Sequence, residues 1–145
     1  MTTTTQFEAG HKITGTPFSP TRETIRAFCE ASLDFNPLHL DDEYMKGDFG
    51  KTNFGGIIMH GMNNFGVITK MLTDWIYAHG GVQRRLKTRW KMPVNPGDTI
   101  TPSAVVKAGK DTQTGRWFML DVQVQNQRGE VVAVGEAMVE IPLAS

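Results

Sequence analysis

The chain of 145 residues holds one cysteine, Cys29. One thiol cannot form an intrachain disulfide or a cysteine-based zinc site, and Cys29 lies among apolar positions where it reads as a small core residue. Excess charge of either sign is also missing, since 15 Lys and Arg face 15 Asp and Glu. The basic footprint of a nucleic-acid binder is therefore absent. No apolar run approaches the ~18 residues that a membrane span needs, so no membrane partner is expected. The first residues carry neither a basic start nor an apolar core, so they do not read as a signal peptide, and the expected location is cytoplasmic. Repeats, low-complexity blocks and linkers rich enough to divide domains are missing too. The expectation is one domain over residues 1–145, with Thr2–Thr5 as a frayed start.

What the chain does contain is a change of period. Ser19-Pro20 reads as a helix start, serine as cap and proline at the first helical position. Ile25, Phe28, Cys29 and Leu33 then recur at helical spacing, which predicts a helix over about 20–33. A short helix is expected within 41–46 and a glycine-rich loop over 47–56. The strongest helical pattern runs from Gly61 to Tyr77 through Met62, Phe65, Ile68, Met71, Leu72, Trp75 and Ile76, with His79-Gly80-Gly81 as its stop. From residue 82 the period becomes two. Val82, Arg84, Leu86, Thr88, Trp90 and Met92 alternate with Gln83, Arg85, Lys87, Arg89 and Lys91, the cations reading as a solvated outer face. Further strands are expected at about 99–108, 115–126 and 131–141. A long apolar helix against four antiparallel strands makes an α+β domain in which the sheet wraps the helix.

The chemistry concentrates in Asp34-Phe35-Asn36-Pro37-Leu38-His39. Pro37 forces Asn36 out of the helical region, so the first helix ends near Asp34 and the chain turns. Such a turn points a carboxylate and an imidazole into one cavity, where the two can activate a water between them. His60-Gly61-Met62 is the second group. A glycine that opens a long helix lets an oxygen approach free backbone N–H groups at the positive end of the helix dipole. Asn63 and Asn64 interrupt the apolar pattern there, either as caps or as the lining of a pocket for something polar. Asp34, Asn36 and Asp41 lack the glycine and closing glutamate of a calcium loop, and Asp34, His39 and His60 lack paired-histidine spacing, so no metal is expected.

Residues 34–39 resemble, without a gap, the hydratase motif of the MaoC-like, or (R)-specific, enoyl-CoA hydratase family of hot-dog proteins. Residues 54–62 and Val94-Asn95-Pro96-Gly97-Asp98-Thr99 resemble further family segments, and the order of elements agrees over about residues 8–142. The resemblance implies an antiparallel sheet curled around a long central helix, and a homodimer or higher oligomer. It implies Asp34 and His39 as a catalytic pair that adds water to a trans-2-enoyl thioester, or removes it from a 3-hydroxyacyl thioester. The substrate is then an acyl-CoA or acyl-carrier thioester, and no cofactor is needed. Asn36 shapes the site, the Gly61 N–H takes the oxyanion position with His60 beside it, and Thr69 falls where relatives place a supporting serine. Departures are Leu33 where glycine is usual, Met45 where a small residue is usual, and extra residues around 47–50. The alternatives are a hot-dog thioesterase, or a non-catalytic acyl-thioester-binding subunit of a heteromeric hydratase.

Overall fold

Apolar residues three and four apart produce the element around which the chain is built. The computed structural model describes residues 7–47 and 54–143. In it α3 spans Gly61–Ile76 and buries Ile68, Met71, Leu72 and Ile76. A turn of 3₁₀ helix follows, and Gly80, at φ 70°, ends it in the left-handed conformation that glycine adopts without strain. Ile68, Leu72 and Ile76 are at most 1% exposed. Truncating any of them to alanine would cost ~2–5 kcal/mol.

Around α3 lie β1 (Lys12–Thr14), β2 (Val82–Trp90), β3 (Thr101–Asp111), β4 (Gly115–Gln125) and β5 (Val131–Pro142). They form one antiparallel sheet in the order β1-β3-β4-β5-β2. Val106, Phe118, Leu120, Val122, Val124, Ala137 and Val139 turn inward and join the helix in a single core. The expected α+β architecture is thus present as the hot-dog fold, a sheet curled over a central helix. No helix among the described residues is long and apolar enough to cross a membrane.

Three local expectations are corrected. The first helix, α1, spans Arg22–Ser32 and is capped by Thr21 rather than Ser19. Thr21 and Thr24 satisfy each other's backbone N–H groups in a capping box, while the Ser19 hydroxyl pairs with that of Thr99. The entry segment contributes a fifth strand, because Lys12–Thr14 pairs with Ser103–Val105. In β2 the alternation breaks at Arg84, where a bulge brings Gln83 and Leu86 to the same inner face opposite Val139 and Ala137. Arg84 then reaches the buried Glu140 at 2.9 Å, and Val82 is left exposed. Arg85, Lys87, Arg89 and Lys91 are exposed, as a solvated face requires. The short helix α2 (Asp42–Lys46) is capped by Asp41. Thr2–Thr5 and the extra residues Asp48-Phe49-Gly50 lie outside the described residues.

Two junctions bear on the site. Leu33 ends α1 at φ 62°, ψ 20°, and is the only non-glycine described residue with positive φ. Its side chain is 79% exposed, so no packing offsets the strain of a Cβ in that region. At the turn before β3, Asn95 donates through Nδ2 to the carbonyls of Phe54 (2.6 Å) and Ile57 (3.0 Å). Asp98 holds this turn by accepting from the Asn95 N–H at 2.9 Å and from Gln127 Nε2 at 2.7 Å. Burial opposes the Asp98 charge, but these donors and the nearby Arg128 outweigh it and hold its carboxyl below the usual range.

Leu33→Gly is expected to raise stability to urea by ~0.5–1 kcal/mol, the relief of left-handed strain less the extra chain entropy of glycine, while Leu33→Ala brings no gain. Asp98→Asn is expected to cost ~1–2 kcal/mol at neutral pH. Because the folded pKa lies below the unfolded ~3.9, that contribution is complete above it and is lost as pH falls through the folded value. Urea unfolding of the two proteins should therefore converge as the pH falls below about 4.

Candidate active site

The segment that ends α1 is a series of side-chain-to-backbone turns. Ser32 Oγ accepts from the Asp34 N–H, Asp34 Oδ1 from the Asn36 N–H, and Asn36 Oδ1 from the Leu38 N–H, each at 3.2 Å. Each of these residue types favours such local bonds over helix, and Pro37 rules out continuation. Pro37–His39 forms one 3₁₀ turn capped by Asn36. Asn36 thus shapes the site through its oxygen.

The turn carries His39 inward until it is 6% exposed. Its Nδ1 lies 2.7 Å from the Ile58 carbonyl. A carbonyl only accepts, so Nδ1 carries the proton. In the neutral ring Nε2 is then a free lone pair, and it faces Asp34 Oδ2 at 3.7 Å. That separation is too long for a direct hydrogen bond but lets both atoms hold one water oxygen. Burial lowers the His39 pKa below the ordinary histidine value. The bond to Ile58 opposes the shift, the neighbouring His60 adds to it, and Asp34 opposes it. The Asp34 side chain is half exposed. A half-open carboxylate beside a buried neutral imidazole is a base pair with access from one side.

His60 is 2% exposed. Its ring stacks on His39 at 3.6 Å between centroids and 19° between planes, with Phe28 at 4.5 Å on it too. Its Nε2 donates to the Asp34 carbonyl at 3.1 Å and lies 3.6 Å from Cys29 Sγ. Burial raises the Cys29 thiol pKa, which suits a core residue and not a nucleophile. His60, expected on the substrate side, thus lies buried between Phe28 and His39 and is bonded to the Asp34 carbonyl. Asp34, His39 and His60 do bring donor atoms within 4.8 Å of one another. Imidazole lone pairs point in the ring plane, however, and two nearly parallel rings 3.6 Å apart do not aim at one ion at the ~2.1 Å a metal bond requires.

Gly61 opens α3 directly after His60, so its N–H has no acceptor within the helix. The Trp90 indole lies across it. A Cβ at Gly61 would stand 2.6 Å from Trp90 Nε1, so glycine is required by close approach. Beside them opens a cavity of about 220 Å³ lined by Ile58, Met59, Gly61, Asn64 and Trp90 among others. Asn64 is among the residues that line this cavity. Asn63 is not among them. Thr69 is not brought to the group. Its Oγ1 has no hydrogen-bond partner among the described residues, and eight residues of helix put it ~12 Å along the axis from Gly61. Trp90 was not foreseen as a site residue. Its one signal was a large aromatic beside Met92-Pro93 at the end of a cationic strand.

The matching family model is that of the MaoC like domain, over residues 2–127. An (R)-specific enoyl-CoA hydratase of Aeromonas caviae is 30% identical over 118 residues, 81% of this chain and 84% of the relative. A mitochondrial 3-hydroxyacyl-[acyl-carrier-protein] dehydratase of Arabidopsis thaliana is 29% identical over 123 residues, 83% and 69% of the two chains. Among solved structures, the (R)-hydratase of A. caviae superposes with TM-score 0.79 at 28% identity, covering 93% of this chain and 97% of that one. The chain thus belongs to the MaoC-like domain family, whose related members here are hydratases and dehydratases.

Proposed function

We propose that the protein is an (R)-specific enoyl-CoA hydratase, acting in reverse as a 3-hydroxyacyl-CoA dehydratase. The observation that carries this reading is the 3.7 Å gap between Asp34 Oδ2 and His39 Nε2, beside the free N–H of Gly61. A trans-2-enoyl thioester enters with its carbonyl oxygen at the Gly61 N–H, where the start of α3 favours negative charge. Water is held between Asp34 and His39. Its oxygen bonds to C3 as one proton passes to the pair, and the electron pair of the C2–C3 double bond moves toward the thioester oxygen. The enolate collapses as the pair returns a proton to C2. Atoms and charge balance without a cofactor, and none is invoked.

The carrier is read as CoA, following the hydratase relatives, although the plant relative is named for an acyl carrier protein. A homodimer in the cytoplasm is the proposed working form. The exposed apolar residues Phe35 and Met62 near the site support a second copy covering them.

Asp34→Asn and His39→Gln are each expected to lower kcat/KM for crotonyl-CoA hydration by ~10²–10⁴, with thermal unfolding little changed. Turnover of none of a series of enoyl-CoAs by the unaltered protein, or an S product, overturns the reading. The reaction needs His39 neutral, and its pKa is depressed. Activity should therefore hold down through pH ~6.5, where a free histidine is half protonated, and fall only below it. An acid limb at or above 6.5 in the pH profile of kcat/KM speaks against His39 as that group.

A further inference from the structure

The buried stripe of α3 runs through positions 64, 68, 71, 72 and 76. All are apolar except Asn64, which is 3% exposed. Its Oδ1 is buried with no hydrogen-bond partner, and no bond from the described residues reaches its amide nitrogen. A core position occupied by an unpaired amide is destabilising unless something else meets it. The cavity of about 220 Å³ has Asn64 in its lining, with Ile58, Met59, Trp90 and Val94 as apolar walls and the Gly61 backbone at one end. It has room for roughly seven water-sized groups. Asn64 stands one helical turn beyond Gly61, ~4.5 Å along the axis.

We propose that Asn64 is the specificity residue of the acyl pocket, and that it selects chains bearing a hydroxyl a few carbons beyond the thioester. The inference rests on the hydratase reading for one point, the thioester carbonyl at the Gly61 N–H. From there the chain runs into the cavity and past Asn64. A side-chain amide both accepts and donates, and a hydroxyl answers both functions at once with a single uncharged atom. A plain alkyl chain in the same place leaves the amide unpaired, which is the condition under which a pocket rejects an analogue lacking the polar group. Asn63, on the neighbouring face and only half buried, has no such demand.

The test is calorimetric binding of saturated acyl-CoAs of four to eight carbons, each paired with its terminally hydroxylated counterpart, to the full chain and to Asn64→Leu and Asn64→Ala. For at least one length the hydroxylated chain is expected to bind about tenfold or more tightly, and both substitutions are expected to abolish the preference. Asn64→Leu should bind the plain chain better than the unaltered protein does. Asn64→Ala keeps the result readable if the larger side chain disturbs folding. Equal binding of the paired chains at every length overturns the inference, as does a preference that survives both substitutions. Saturated chains need no hydration, so the two readings fail separately. Flat binding ratios with intact crotonyl-CoA hydration remove only the role of Asn64. Selective binding without hydration of any enoyl-CoA removes the hydratase and leaves the pocket's preference standing.

Discussion

The hydrogen bond from His39 Nδ1 to the Ile58 carbonyl is the contact on which the site depends. It joins the turn after α1 to the segment before α3, nineteen residues apart. It sets the tautomer, since the proton must sit on Nδ1, and so leaves Nε2 as the atom that meets Asp34. The two segments are stitched further by the Ile58 N–H to the Leu38 carbonyl, and the Met59 N–H ties the second of them to the Val94 carbonyl between β2 and β3. His60 and Gly61 follow at once. The place where α3 begins, and with it the free N–H of Gly61, is thus tied to the same bond that orients the imidazole.

Burial and charge act on His39 in a definite order. Desolvation dominates, and the half-exposed Asp34 only partly offsets it. A neutral histidine beside an open carboxylate results. Had both groups been buried, their mutual attraction would favour an imidazolium–carboxylate pair, which holds a proton where a base is required. His60 reinforces the neutral state, because a second imidazole stacked at 3.6 Å penalises positive charge on the first.

Much of this was legible in residue order because it depends on local chemistry. The apolar spacing of α3 and the alternation of β4 and β5 are statements about faces, and faces survive folding. The Asp34–His39 turn was legible because Pro37 and Asn36 act on their immediate neighbours. Contacts between distant segments were not. The bulge at Arg84 accompanies a pairing with Glu140, which is buried on another strand. The capping by Thr21 won over Ser19 because Thr99 draws the serine hydroxyl away. The indole of Trp90 over Gly61 joins residues twenty-nine apart, and no spacing rule connects them. Asn64 was visible as an interruption, but whether it capped or lined a pocket depended on which way its helical position faced.

Gly61 and Leu33 show how differently two backbone positions constrain side chains. At Gly61 the constraint is space, since the indole occupies the volume a Cβ would need, and no residue with a side chain fits without moving Trp90. At Leu33 the constraint is a dihedral, with open solvent beyond it, and a strained residue persists because nothing collides with it. The first kind closes one end of the cavity that Gly61 and Trp90 line. The second aims Asp34 by turning the chain, and any residue that tolerates the turn serves. On the hydratase reading, substrate selection therefore has its latitude at positions such as 64, which line the cavity without holding the backbone of Asp34 and His39.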